Sequence, residues 1–118
     1  MAETPHPEDL LPLTPAVFHI MLALSDGEKH GYSIMQEVTA ISSGHIKIGA
    51  GTLYGSIKRM LATGLIEESD DRPDPDLDDE RRRYYRLTPF GGRVAAAETR
   101  RLSALVRFAQ ARRLAEEL

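Results

Sequence analysis

Several features that mark other protein classes are missing from this chain of 118 residues. It contains no cysteine, which excludes disulfides and thiolate metal sites and fits a reducing compartment. No apolar run approaches the ~20 residues that a membrane-spanning helix needs. The N-terminus also lacks the basic-then-apolar order of a secretory signal. We therefore expect a cytoplasmic protein that does not engage a membrane.

Patterns that support catalysis or metal binding are also lacking. The spacing of the four histidines does not match a metal site; they are His6, His19, His30 and His45. The glycines at Gly49 and Gly51 lack the lysine and the context of a phosphate-binding loop, and no nucleophile is paired with a base. We predict no enzymatic activity, no metal and no cofactor.

Charge is distributed unevenly along the chain. The net charge is −3, which alone argues against nucleic acid. However, residues 67–80 hold nine acidic side chains against the single Arg72, whereas residues 81–118 hold ten arginines against three glutamates. A positive surface is therefore available for an anionic partner despite the acidic total.

The apolar periodicity and the turn residues predict four helices and two short strands. Thr14-Pro15 and Thr88-Pro89 are each a capping residue followed by proline at the first helical position. The predicted helices are residues 15–24, 31–42, a third ending near residue 63, and a last one from residue 89, and the predicted strands are residues 64–68 and 83–87. This order predicts an α+β, mainly α fold, a winged helix-turn-helix with a long C-terminal dimerisation helix. The predicted parts are a mobile tail (1–9), a DNA-binding domain (10–88), with an acidic wing tip between the strands, and the dimerisation helix (89–118).

The third helix has two faces with different character. At 100° per residue, one side carries Leu53, Ile57, Met60 and Leu61, and the other turns polar and basic residues outward. A helix of this kind fits the major groove of DNA, with basic groups on the phosphates. An ordinary amphipathic helix with a solvated face would show the same pattern. The candidate DNA-binding residues are Tyr32, Lys47, Thr52, Tyr54, Gly55, Ser56, Lys58, Arg59, Arg81, Arg82 and Arg83.

The last helix combines an apolar stripe with arginines and is longer than one small core can cover. Such a helix fits a dimer interface or a membrane surface, and pairing of two DNA-binding units favours the dimer. The three leucines near residue 10 are predicted to close the same interface. The candidate dimer residues are Leu10, Leu11, Leu13, Phe90, Val94, Leu102, Leu105, Val106 and Ala109.

Three motifs in this order resemble those of the PadR-type transcriptional regulators, the phenolic-acid decarboxylase repressor family. The matching segments are residues 30–34 (HGYSI), 51–54 (GTLY) with 58–60 (KRM) and 64–66 (GLI), and 81–88 (RRRYYRLT) with Gly91. The resemblance implies a dimeric winged-helix repressor that binds an inverted-repeat operator in double-stranded DNA and is often released by a small ligand. It further implies that Thr52 and Tyr54 face the groove, that Tyr32 contacts the backbone and that residues 81–83 form the wing base.

Two features depart from the family's pattern. Gly55 stands where family members usually have proline, so a rigid residue is missing from the reading face. The C-terminal part is a single helix, which would place an effector pocket at the dimer interface. A winged-helix module that binds another protein through the acidic segment is the alternative interpretation.

Overall fold

The computed structural model describes residues 5–69 and 83–114. Within these residues the chain forms four α-helices and three short strands after a 3₁₀ helix, Pro7–Leu10. The α-helices are α1 (Pro15–Ala23), α2 (Gly31–Ile41), α3 (Ala50–Ala62) and α4 (Pro89–Ala111), and the strands are β1 (Lys29–His30), β2 (Ile66–Ser69) and β3 (Tyr84–Leu87). The predicted fold class is confirmed: three helices precede a two-stranded wing, and a long helix follows it.

Side-chain caps explain where three of the helices begin. The Thr14 hydroxyl accepts a hydrogen bond from the Val17 amide (3.2 Å), and the Thr88 hydroxyl accepts one from the Gly91 amide (2.9 Å). Both threonines precede a proline at the first helical position, as predicted. At α2 the His30 ring takes the same role and accepts from the Ser33 amide (3.3 Å).

The core lies between α1, α2, α3, the sheet and the first half of α4. Its fully buried apolar side chains are Ile20, Met21, Ala23, Ile34, Val38, Leu53 and Val94, with Met60 and Ile66 almost as deep. The spacing of Ile34, Val38 and Ile41 predicts one apolar stripe on α2, but Ile41 is the last residue of the helix and remains 43% exposed. The stripe on α2 therefore ends one turn earlier than the periodicity suggests.

The antiparallel sheet has the order β1-β3-β2, and β1 was not predicted. Lys29 pairs with Tyr85 and His30 with Tyr84, and the His30 ring meets the Tyr84 ring edge-on at 5.3 Å. A strand of two residues is too short to show alternation, so only its pairing reveals it. The alternation of residues 45–48 predicts a short extended piece, but these residues belong to no strand.

The N-terminal segment packs against the rest of the protomer. The 3₁₀ helix contacts α4 and includes residues 7–9 of the predicted mobile tail. Leu10, Leu11 and Leu13 are half-buried against the protomer's own core. Part of the surface of the three leucines is therefore covered within one chain, and their predicted contribution to a dimer stays a prediction.

Glu98 of α4 binds the N-terminal segment through a hydrogen bond. Its buried carboxylate accepts hydrogen bonds from the Leu13 amide (2.8 Å) and from Arg101 Nη2 (3.1 Å). The Arg101 guanidinium holds the pKa of Glu98 below its ordinary value, and the Leu13 amide lowers it further against the opposing effect of burial. The ionised form is therefore favoured in the folded state.

This lowered pKa predicts an acid-dependent stability. The folded protein favours ionised Glu98 more than the unfolded chain does, so the contribution is complete above the ordinary pKa of 4.5 and is lost as pH falls through the folded value. Glu98→Gln should therefore reduce the free energy of unfolding most above pH ~5, with a gap that narrows towards pH ~3. Denaturant unfolding across this pH range measures the gap. A gap that does not change with pH would show that the charge of Glu98 is irrelevant.

Candidate nucleic-acid interface

The two faces of α3 are separated as the sequence predicted. Leu53, Ile57 and Met60 are buried, whereas Thr52, Tyr54, Lys58 and Arg59 lie on the exposed side. The exposed side offers a hydroxyl, a phenol and two cations, a combination that suits base edges and phosphates. Leu61, assigned to the packing side, lies at its margin with 36% of its surface exposed.

Ser56 does not belong to the exposed face. It is fully buried, and its hydroxyl accepts a hydrogen bond from Arg59 Nη2 (3.4 Å). Ser56 is three residues after Leu53 and four before Met60, so the rotation of the helix places it inside the apolar stripe. Its small volume allows the close packing there, and its predicted contact with DNA is wrong.

Gly55 lies next to Ser56 at the edge of the exposed face. A side chain at this position would meet only Arg59 Nη1, at 3.7 Å. The guanidinium of Arg59 therefore extends back along the helix, over the space that the missing side chain of Gly55 leaves.

The start of α2 borders the exposed face of α3. Tyr32, the second residue of α2, is 60% exposed, and the Tyr54 hydroxyl reaches the backbone of Gly31 beside it. Lys47, in the segment that joins α2 to α3, is exposed as well. The structure thus places Tyr32 and Tyr54 near each other on a surface that continues from one helix to the next.

Among the described residues of the wing, Arg83 lies on the face of the sheet that turns towards the core and α3. Burial raises the pKa of the Tyr85 hydroxyl, and the nearby Glu68 and Tyr54 raise it further, whereas Arg83 lowers it. Tyr85 is itself buried in the core that α3 helps to form. Arg83 shares its face of the sheet, since it lies two residues before Tyr85 and its Nη1 pairs with Glu68 Oε1 at 3.0 Å.

Arg86 lies on the opposite face of the wing. It pairs directly across the strands with Glu67, with Nε and Oε1 3.1 Å apart. Both ion pairs are exposed, so each contributes little to stability. The pairing of these arginines with glutamates of β2 follows from the register of the strands and is not visible in residue spacing. Arg81, Arg82 and the predicted acidic wing tip beyond Ser69 lie outside the described residues.

The histidines of the described segments make local contacts. His19 Nδ1 is 2.7 Å from the Pro15 carbonyl and His45 Nδ1 is 3.0 Å from the Ser42 carbonyl, while His30 caps α2. Residues 5–69 and 83–114 hold no group of three or more metal-binding side chains, and no helix among them is long and apolar enough to cross a membrane.

The two halves of α4 face different surroundings. Val94 is fully buried in the protomer's core and Phe90 packs partly against it, so Val94 cannot serve a dimer as predicted. Beyond Glu98 the helix exposes Leu105 (54%), Val106 (37%) and Phe108 (58%), while Leu102 and Ala109 are half-buried. Phe108 was missed, although it lies one turn after Leu105 on the helix.

An open groove of about 580 Å³ lies between α1 and the second half of α4. Its apolar wall is formed by Phe18, Leu102 and Val106, and Arg107 places a cation at its edge. The remaining lining residues are Thr99, Ser103 and Gln110.

These features define a winged helix-turn-helix protein with an exposed, basic third helix. A sequence model of the Transcriptional regulator PadR-like family matches residues 20–97. The chain belongs to this family of transcriptional regulators, as its motifs indicated.

Two relatives are similar in sequence. The transcriptional regulator Rv3488 of Mycobacterium tuberculosis is 39% identical over 83 residues, which cover 70% of each chain. An uncharacterized 37.1 kDa protein in transposon TN4556 of Streptomyces fradiae is 31% identical over 86 residues, 73% of this chain. The match spans only 22% of the Streptomyces protein.

Solved structures share the fold at lower identity. A PadR family transcription regulator from Clostridium difficile R20291 superposes with a TM-score of 0.67 at 20% identity, over 82% of this chain and 96% of that one. Bacillus subtilis PadR, solved in complex with operator DNA, gives a TM-score of 0.55 at 20% identity, over 69% of this chain and 44% of that one.

Proposed function

We propose that this chain is a sequence-specific DNA-binding regulator, in which α3 enters the major groove and Tyr32, Lys47 and Arg83 contact the flanking backbone. The exposed, basic face of α3 carries this proposal, because the opposite face is sealed in the core and only one orientation towards DNA is available. The operator complex of the Bacillus relative supports the same use of the fold. Thr52 and Tyr54 are the base-reading candidates, and Lys58 and Arg59 are the phosphate-binding ones.

We further propose that α1 to β3 form the DNA-binding part and that α4 pairs two copies. The exposed apolar residues of α4 support this pairing, because a monomer gains nothing from exposing a phenylalanine and a leucine on one helix. Two copies would present two α3 helices to an inverted-repeat operator, and the groove beside α4 would offer a small ligand a site that releases the repressor.

Binding to DNA upstream of the gene and its neighbours tests the proposal. A mobility-shift assay at two salt concentrations, with unrelated DNA as competitor, should give tight and competitor-resistant binding. Weak binding without sequence preference would contradict the proposal and favour a protein partner instead. Sedimentation equilibrium should give the mass of two chains, and a monomer at all concentrations would contradict the pairing.

Neutralising a glutamate of the wing is expected to raise the affinity of the protein for DNA. Glu68 occupies the guanidinium of Arg83 on the α3 side, so a DNA phosphate must displace it. Glu68→Gln should raise affinity several-fold and steepen the salt dependence of binding by up to ~0.9 unit, the value of one additional phosphate contact. The mobility-shift titration over a range of salt measures both quantities.

Glu67→Gln is the matched control for this prediction. It removes the same charge one residue away, but its partner Arg86 lies on the opposite face of the sheet. It should have a smaller effect, limited to the general loss of one negative charge. Equal gains from both variants would show that Arg83 has no special role.

A further inference from the structure

We infer that Gly31 is a positioning residue for Tyr54, and that the glycine at the start of α2 is present to seat the ring on the reading face of α3. The inference rests on the proposed function and adds a residue to it that contacts no DNA itself. It also gives a physical reason why the segments 30–34 and 51–54 occur together, since Gly31 belongs to the first and Tyr54 to the second.

The backbone angles at position 31 do not explain why this residue is glycine. Positive φ angles occur at Gly27, Gly44 and Gly64, whereas Gly31 is the first residue of a regular helix. A residue with a side chain would fit that backbone, and glycine is a poor helix former. Space is what requires glycine at this position.

The neighbours of Gly31 show what uses that space. A Cβ built on Gly31 would collide with the Tyr54 hydroxyl and would lie 3.0 Å from Tyr54 Cζ and 3.3 Å from Leu53 Cδ2. The hydroxyl end of the Tyr54 ring therefore rests on the first turn of α2, while 51% of the residue stays exposed.

This arrangement fixes the direction of the ring. With its hydroxyl end against the first turn of α2, the Tyr54 ring is supported on one side by that backbone. A side chain at position 31 would push the ring outward, into the space that the proposed DNA complex needs. The two closest obstructed atoms are the far end of a surface side chain, and Leu53 Cδ2 must yield by only a few tenths of an ångström, so the fold accommodates this change mainly by moving the ring.

Gly31→Ala tests the inference through DNA selectivity. Affinity for the operator should fall about tenfold, as expected when one base-reading side chain is misplaced, while affinity for unrelated DNA stays near the wild-type value. The thermal midpoint should stay close to that of the wild type. Gly92→Ala is the control, because its Cβ would meet nothing within 4 Å. Unchanged selectivity in Gly31→Ala would overturn the inference.

A double-mutant cycle separates this role from a merely structural one. If Gly31 acts through Tyr54, adding Gly31→Ala to Tyr54→Ala should cost no further selectivity. An equal loss in both backgrounds would overturn the inference. If Gly31→Ala alone fails to fold, the double variant should recover folding because the obstructing ring is gone, and a double variant that also fails to fold would overturn it too.

NMR spectroscopy gives a readout that does not depend on DNA. The aromatic signals of Tyr54, assigned from their loss in Tyr54→Phe, should show contacts to the Gly31 α-protons in the wild type and shift in Gly31→Ala but not in Gly92→Ala. If the wild-type chain shows no selective DNA binding, the proposed function fails, and these spectra alone decide whether Gly31 seats the ring. Absence of the contacts would overturn the seating.

Discussion

Replacing Lys58 and Arg59 together with alanine is expected to weaken operator binding about 100-fold near 0.1 M salt. Each phosphate contact adds ~0.9 to the slope of log affinity against log salt, which corresponds to roughly tenfold in affinity at that concentration. Both side chains lie on the exposed side of α3, so their loss should leave the core intact. Titrations at several salt concentrations should show the slope reduced by ~1.8 units.

A control variant with the same change in charge isolates this effect. Arg93 and Arg100 are exposed on α4 and belong to neither the DNA-binding nor the dimer candidates. Their joint replacement by alanine removes two positive charges far along the chain from α3 and should change the slope little. If the slope of log affinity against log salt is unchanged in the Lys58→Ala/Arg59→Ala variant, the proposed contact of α3 with DNA is wrong. An equal reduction of the slope in the control would contradict it as well.

Local signals in the sequence were sufficient for most of the architecture. Thr14-Pro15 and Thr88-Pro89 marked the starts of α1 and α4, because the cap and the proline act within one helical turn. The two faces of α3 followed from residue spacing alone, because every apolar residue of the stripe lies on one helix.

Contacts between residues that are far apart in the sequence could not be predicted from such local signals. The Glu98 carboxylate meets the Leu13 amide across 85 residues, and no local pattern relates them. The stripe on α4 runs through Val94 and Leu105 without a break, so periodicity could not show that Val94 packs within the protomer and Leu105 does not. Ser56 was predicted to contact DNA because serine is a polar residue. Its position on the helix, between Leu53 and Met60, instead places it in the core.

Replacing Gly91 by alanine is the stability change with the largest expected effect. A Cβ at Gly91 would collide with the Leu65 carbonyl oxygen and lie 2.9 Å from its carbon and 3.3 Å from Leu65 Cα. These atoms are backbone, and the carbonyl is held by hydrogen bonds from the Thr88 amide (3.1 Å) and the Thr88 hydroxyl (3.2 Å). Since neither partner has a rotamer that relieves the collision, α4 itself must move away from the start of the wing. Overpacking of this kind costs about 1–3 kcal/mol, and a rigid neighbour favours the upper end.

The adjacent Gly92 provides the comparison in the same turn of the same helix. It faces open space, so Gly92→Ala should stabilise the protein by about 0.5–1 kcal/mol through helix propensity alone. Denaturant unfolding of the two variants should therefore give shifts of opposite sign, and shifts of equal sign and size would show that Leu65 yields. A displaced α4 would also carry Leu105 and Phe108 with it. Gly91→Ala should then weaken dimerisation as well as folding, whereas Gly92→Ala should leave the dimer unchanged.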